Sequence, residues 1–140
     1  MWTNSTSIDT IASPQALWRL FEDVAGWTRW NAGIARIALQ GPFATGSTFE
    51  MQPPGMEAFT STLRDVRTNA GFVDETVLDD TRFLVSHELQ ALPAGGTRVV
   101  YSIRVEGPEA ATLGPLVTAG FPEVLAALKA LAERDGAEVS

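Results

Sequence analysis

The sequence predicts an α+β fold, a curved antiparallel sheet of about seven strands wrapped around a long C-terminal helix, with two short helices after strand 1. Three observations carry this. Residues 34–106 fall into alternating segments joined by short turns. An apolar stripe at helical spacing runs from 109 to 134. Between the first alternating segment and the rest lies one compact helical stretch. Strands that follow one another through short turns form antiparallel meanders and not βαβ units.

Residues 2–11 alternate weakly and are rich in Thr, Ser, Trp and Ile, as a first strand would be. Ser13-Pro14 reads as an N-cap followed by proline at the first helical position. Leu17, Leu20, Phe21 and Val24 then share one helical face, which predicts a helix over 14–24. Gly26 ends it, and Trp27 to Asn31 suit one further short turn of helix before Gly33.

Strands are expected at 34–40, 47–52, 57–68, 72–78, 81–92 and 97–106. Gly41-Pro42 with Gly46, Asn69-Ala70-Gly71, Asp79-Asp80 and Pro93-Ala94-Gly95-Gly96 supply the turn chemistry between them. Pro53-Pro54 lies outside any sheet because proline donates nothing to the ladder. From Glu109 onward Leu113, Leu116, Val117, Phe121, Val124, Leu125, Leu128 and Leu131 form the helical stripe. Pro115 and Pro122 interrupt it, so a short helix, a bend near Gly120 and a long helix ending near Gly136 are expected. The last helix is the largest apolar element left to cover the sheet. A sheet curved around a helix leaves room for a cavity between them.

The 140 residues are expected to form a single domain, 1–140. A chain of this size buries roughly two-thirds of the surface its unfolded form exposes, enough for one core. With 10 basic and 17 acidic residues the formal charge is −7, which argues against nucleic acid and against anionic membranes. The chain has no cysteine, so disulfides and thiolate metal sites are excluded. One histidine makes a zinc site improbable, so no metal is expected. The N-terminus lacks the basic and apolar regions of a signal peptide, and no apolar run approaches a bilayer span. A cytoplasmic protein without cofactor is expected.

The common nucleotide, zinc-protease and nucleophile-elbow motifs do not occur. Attention therefore falls on single residues. On strand 81–92 the more apolar set is Phe83, Val85, His87, Leu89 and Ala91, which places His87 on the inner face. On strand 97–106 the apolar set is Thr97, Val99, Tyr101, Ile103 and Val105, which places Tyr101 on the same face. A hairpin centred near Ala94 and Gly95 puts His87 opposite residue 102 or its neighbour. An imidazole beside a phenol can do acid–base work on a carbonyl compound, orient a ligand, or serve only to satisfy each other in a core. Asp74 and Glu75 are adjacent, so they point to opposite faces and form no dyad. Trp27 and Trp30 suit a cavity mouth or simple core cover. The loop Met51 to Met56 suits a cavity lip or a plain surface loop.

SPQALWRLFEDVAGWTRWNAGI (13–34), LQGPFATGSTFEM (39–51) and LPAGGTRVVYSIRVEGP (92–108), with the terminal helix, resemble the START/polyketide-cyclase superfamily, often called SRPBCC. Its helix-grip fold is shared with the birch pollen allergen, and the resemblance spans nearly the whole chain. It implies a cavity between sheet and terminal helix. It also implies a ligand such as a lipid, sterol, plant hormone, polyketide or quinone, or aromatic cyclisation or dehydration. It assigns no catalytic residue, because members share no common set.

The first reading is therefore binding of a small hydrophobic molecule between sheet and C-terminal helix. Its expected lining is Trp27, Trp30, Phe49, Met51, Phe83, Val85, His87, Leu89, Val99, Tyr101, Ile103, Val117, Phe121 and Val124. The second is a polyketide cyclase/dehydratase-type enzyme with His87 and Tyr101 as its catalytic acid/base pair. The third is a protein-interaction module, with a homodimer through exposed apolar loop residues as one form.

Overall fold

The computed structural model describes the backbone of residues 1–139 and the side chains of residues 1–134. Strand β1 (Trp2–Thr10) opens the chain, followed by helix α1 (Pro14–Glu22). Ser13 caps α1, its hydroxyl accepting from the Ala16 N–H at 3.1 Å, and Pro14 sits at the first helical position. The helix buries Leu17, Trp18, Leu20 and Phe21. It stops at Glu22, two residues earlier than expected. The chain there tightens into a 3-10 helix, Val24–Arg29, which runs through Gly26 and overlaps the turn expected from Trp27 to Asn31 only at residues 27–29.

Strands β2 (Arg36–Gln40), β3 (Thr48–Gln52), β4 (Phe59–Arg67), β5 (Gly71–Leu78), β6 (Thr81–Ala91) and β7 (Thr97–Glu106) follow as a meander. Among the described residues they and β1 form one seven-stranded antiparallel sheet in the order β1-β7-β6-β5-β4-β3-β2. The chain's first strand therefore pairs with its last, from Trp2 opposite Val105 to Thr10 opposite Thr97. Alternation along β7 is complete, with Thr97, Val99, Tyr101, Ile103 and Val105 all buried.

Helix α2 (Ala110–Thr118) packs on β7 and β1, and α3 (Phe121–Val139) packs on β1 and α1. The break between them falls at Gly120, with Pro122 in the first turn of α3, where its missing N–H costs least. Two expectations change. Pro115 lies inside α2, which continues through it, the Pro115 carbonyl accepting from Ala119. Helix α3 runs through Gly136 to Val139, because a glycine weakens a helix without removing a donor. A third change concerns length. Ala110–Arg134 is long and apolar enough to cross a membrane, contrary to the expectation that no run approaches this. It is divided between α2 and α3, and α3 sets Leu125, Leu128, Leu131 and Ala132 into the core.

Candidate functional site

The interior has an aromatic half and a polar corner. Phe72 of β5 is fully buried at the centre of the aromatic half. Its ring stacks on His87 with centroids 4.1 Å apart and on Trp27 at 5.8 Å, and meets Phe21 and Phe43 edge-on at 5.2 Å each. Trp27 also packs edge-on against Phe49 at 5.5 Å and donates its indole N–H to the Phe21 carbonyl at 2.8 Å. Trp27, Trp30, Phe49, Leu89 and Val99 are thus packed core residues, with Met51 and Val124 half-buried against them.

The polar corner begins at His87. Its strand neighbour on β7 is Tyr101, directly opposite in register, with ring centroids 4.5 Å apart. The pairing expected from the hairpin is present, one residue from its centre value. On the other side β5 presents Phe72 opposite His87 and Asp74 opposite Val85. Asp74 is therefore diagonal to His87 on the same face, and its Oδ2 lies 3.8 Å from His87 Nε2. The close approach of β5 to β6 here depends on Gly71, with φ +154°. A Cβ at that position would lie 2.5 Å from the His87 carbonyl oxygen.

Sequence reasoning set Asp74 aside together with Glu75. The two do point to opposite faces, as expected. Glu75 turns outward between Arg64 and Arg82, whose hydrogen bonds hold its carboxyl below the usual range. Asp74 turns inward, where burial raises its pKa to about 7. Burial also lowers His87 to about 3 and raises Tyr101, the latter helped by the Asp74 charge. At neutral pH the imidazole is neutral, so the 3.8 Å approach is not an ion pair. The signal for Asp74 was the alternating set Phe72, Asp74 and Thr76. It is no more apolar than Val73, Glu75 and Val77, so strand alternation alone left the inward face undecided.

Three buried polar atoms have no hydrogen-bond partner among the described residues: Trp30 Nε1, His87 Nδ1 and Tyr101 Oη. Leaving such a group unpaired costs about 1–3 kcal/mol. By contrast the buried hydroxyls of Ser61 and Thr76 on the same face satisfy each other at 2.5 Å. Asp74 keeps 16% of its side-chain surface accessible despite its interior position.

Apolar residues frame this corner. Phe121 of α3 stands edge-on to Tyr101 at 5.6 Å. Phe83, Val85 and Phe121 are half-buried against the Ile103, Val105 and Ala110 cluster, together with Trp2. The structure thus brings His87, Tyr101, Phe83, Val85, Ile103 and Phe121 together. It leaves Val117 out, since that side chain is 39% exposed on α2 and joins neither cluster. Val117 lies on the part of the apolar stripe that turns to solvent with Leu116. A separate open groove of about 540 Å³ lies on the outer face of the sheet, lined by Thr3, Ser5, Val73, Leu84, Ser86, Ser102 and Arg104 among others. It does not coincide with the inward polar groups.

A curved antiparallel sheet holding a C-terminal helix, with polar side chains set into its inner face, defines the helix-grip class. Solved structures agree. A Mesorhizobium loti protein is 18% identical with TM-score 0.79, covering 95% of this chain and 98% of that one. A point mutant of Thalictrum norcoclaurine synthase, solved with a transition-state analogue, is 10% identical with TM-score 0.77, covering 96% of each. A Mycobacterium smegmatis START superfamily protein is 14% identical with TM-score 0.75, covering 94% and 97%. At these identities the likeness is one of fold. The chain belongs to the polyketide cyclase/dehydrase and lipid transport family, whose model matches residues 1–133. No curated protein matches the sequence.

Proposed function

We propose that this protein binds a small hydrophobic molecule between its sheet and C-terminal helix, with the molecule's polar end at His87 and Tyr101. The observation that carries this reading is the pair of buried, unpartnered atoms His87 Nδ1 and Tyr101 Oη on adjacent strands in an apolar surround. Two such buried atoms are a standing cost to folding, and a ligand hydroxyl or carbonyl that pairs with them removes it. The family description, which includes lipid transport, supports the same reading.

A second reading has its own observation. Asp74 lies 3.8 Å from His87 Nε2, so the corner holds a carboxyl, an imidazole and a phenol in sequence. In a cyclase or dehydratase, His87 would take or give a proton at the substrate, and Tyr101 would hold a carbonyl oxygen. Asp74 would set which imidazole nitrogen carries hydrogen.

Native mass spectrometry of freshly purified protein, with an organic extract of the same sample, tests the first reading. A co-purified apolar molecule is expected, and His87→Phe with Tyr101→Phe should release it while the protein stays folded. An apo mass together with no binding of the neutral hydrophobic dye Nile red overturns it. Turnover lost in His87→Ala with ligand binding retained would favour the enzyme.

A further inference from the structure

Resting on the binding reading above, we infer that the site selects an uncharged, hydroxyl- or carbonyl-bearing molecule and rejects carboxylates and phosphates. The reason is the distribution of charge between the two faces of the sheet. All nine arginines are exposed, and the single lysine, Lys129, bonds the Asp9 carbonyl and Glu133 at the far end of β1. Among the described residues, which include every arginine and lysine, no cation reaches the polar corner.

What does face the corner is the opposite of an anion site. Asp74 comes from β5, His87 from β6 and Tyr101 from β7, while β4 adds the buried side chains of Leu63 and Ser61. Phe121 of α3 covers Tyr101. Of the charged side chains described on the packed helices, Arg19 and Glu22 of α1 and Glu123 and Arg134 of α3 lie exposed, while Lys129 and Glu133 pair with each other and bond to β1. An anionic head entering here would lose its hydration, meet no counter-ion and lie against a carboxyl group. A hydroxyl meets a better fit. The buried phenol can donate to a ligand oxygen, and the neutral imidazole Nδ1 can accept from, or donate to, the same group according to its tautomer. Asp74 is thus assigned as the specificity-determining residue of the site.

Isothermal titration of the whole protein with two probes of one skeleton, 2-naphthol and 2-naphthoate, tests this. At pH 8 the wild type should bind 2-naphthol at least about tenfold more tightly, a difference of about 1.4 kcal/mol. At pH 5.5 the naphthoate is still ionised but the Asp74 carboxyl carries a proton, so the preference should narrow. In Asp74→Asn the preference should be smaller and the same at both pH values. The wild-type pH pair stands by itself if that variant fails to fold. Equal or tighter binding of 2-naphthoate at pH 8 overturns the inference while leaving the binding reading intact. A preference that narrows identically in Asp74→Asn overturns the role of Asp74. Binding of neither probe, with no Nile red binding, overturns the binding reading and this inference with it.

Discussion

Asp74 and His87 approach to 3.8 Å across β5 and β6, yet burial drives their proton affinities in opposite directions, so at neutral pH no charge pair forms between them. The relationship has a consequence for stability. Folding favours the protonated form of Asp74. That contribution is complete below its ordinary value of 3.8 and is lost as pH rises through about 7. Folding favours the neutral form of His87. That contribution is complete above its ordinary value of 6.5 and is lost as pH falls toward about 3.

Between about pH 4 and 6.5 the two slopes oppose each other and nearly cancel. Asp74→Asn removes one of them. The stability of the variant relative to the parent should then rise by about 1.4 kcal/mol per pH unit between pH 5 and 6. Urea unfolding at a series of pH values measures this. A difference that stays flat would show that Asp74 ionises in the folded protein as an exposed carboxylate does.

Tyr101→Phe removes a buried hydroxyl that has no partner among the described residues. Stability should hold or rise by about 1 kcal/mol, since no hydrogen bond is lost and a desolvated group is removed. Ligand affinity should fall. Urea midpoints at constant m separate the two effects. A loss of stability would mean that the hydroxyl is satisfied within the protein.

Gly71→Ala places a methyl group 2.5 Å from the His87 carbonyl oxygen, at a φ of +154°. Either β5 moves away from β6 or the backbone is strained. A destabilisation of about 1–3 kcal/mol is expected, with a shifted His87 imidazole resonance in the NMR spectrum. Unchanged stability and an unchanged resonance would count against the close approach.

Leu128→Ala should cost about 2–5 kcal/mol, because the side chain is completely buried in the core that α3 closes. Leu116→Ser on the same apolar stripe should cost less than about 0.5 kcal/mol, because Leu116 is 71% exposed on α2. Thermal unfolding of the two variants side by side distinguishes the buried face of α3 from the solvent-facing part of α2.

Local chemistry along the chain accounts for the class of the fold and for most of its elements. Ser13-Pro14 starts α1 because a hydroxyl and a missing N–H suit that position whatever surrounds it. Thr97 to Val105 alternates because one face of β7 is dry. That same alternation put His87 and Tyr101 on one face, and the length of the turn at residues 93–96 brought them opposite. These are local properties, and local chemistry settles them. Tertiary structure decided what lies beyond the hairpin. The pairing of β1 with β7 joins residues about a hundred positions apart and has no local signal. Pro115 stays helical because packing of α2 on β7 and β1 outweighs one lost backbone bond. Trp27 and Phe49 are core residues because their rings pack edge-on against each other and Phe72 stacks on Trp27. Asp74 sits on a strand whose two faces are equally polar in sequence, so its direction is set only when β5 takes its register against β6. A carboxylate's role depends on the dielectric around it, and that is a property of the assembled interior.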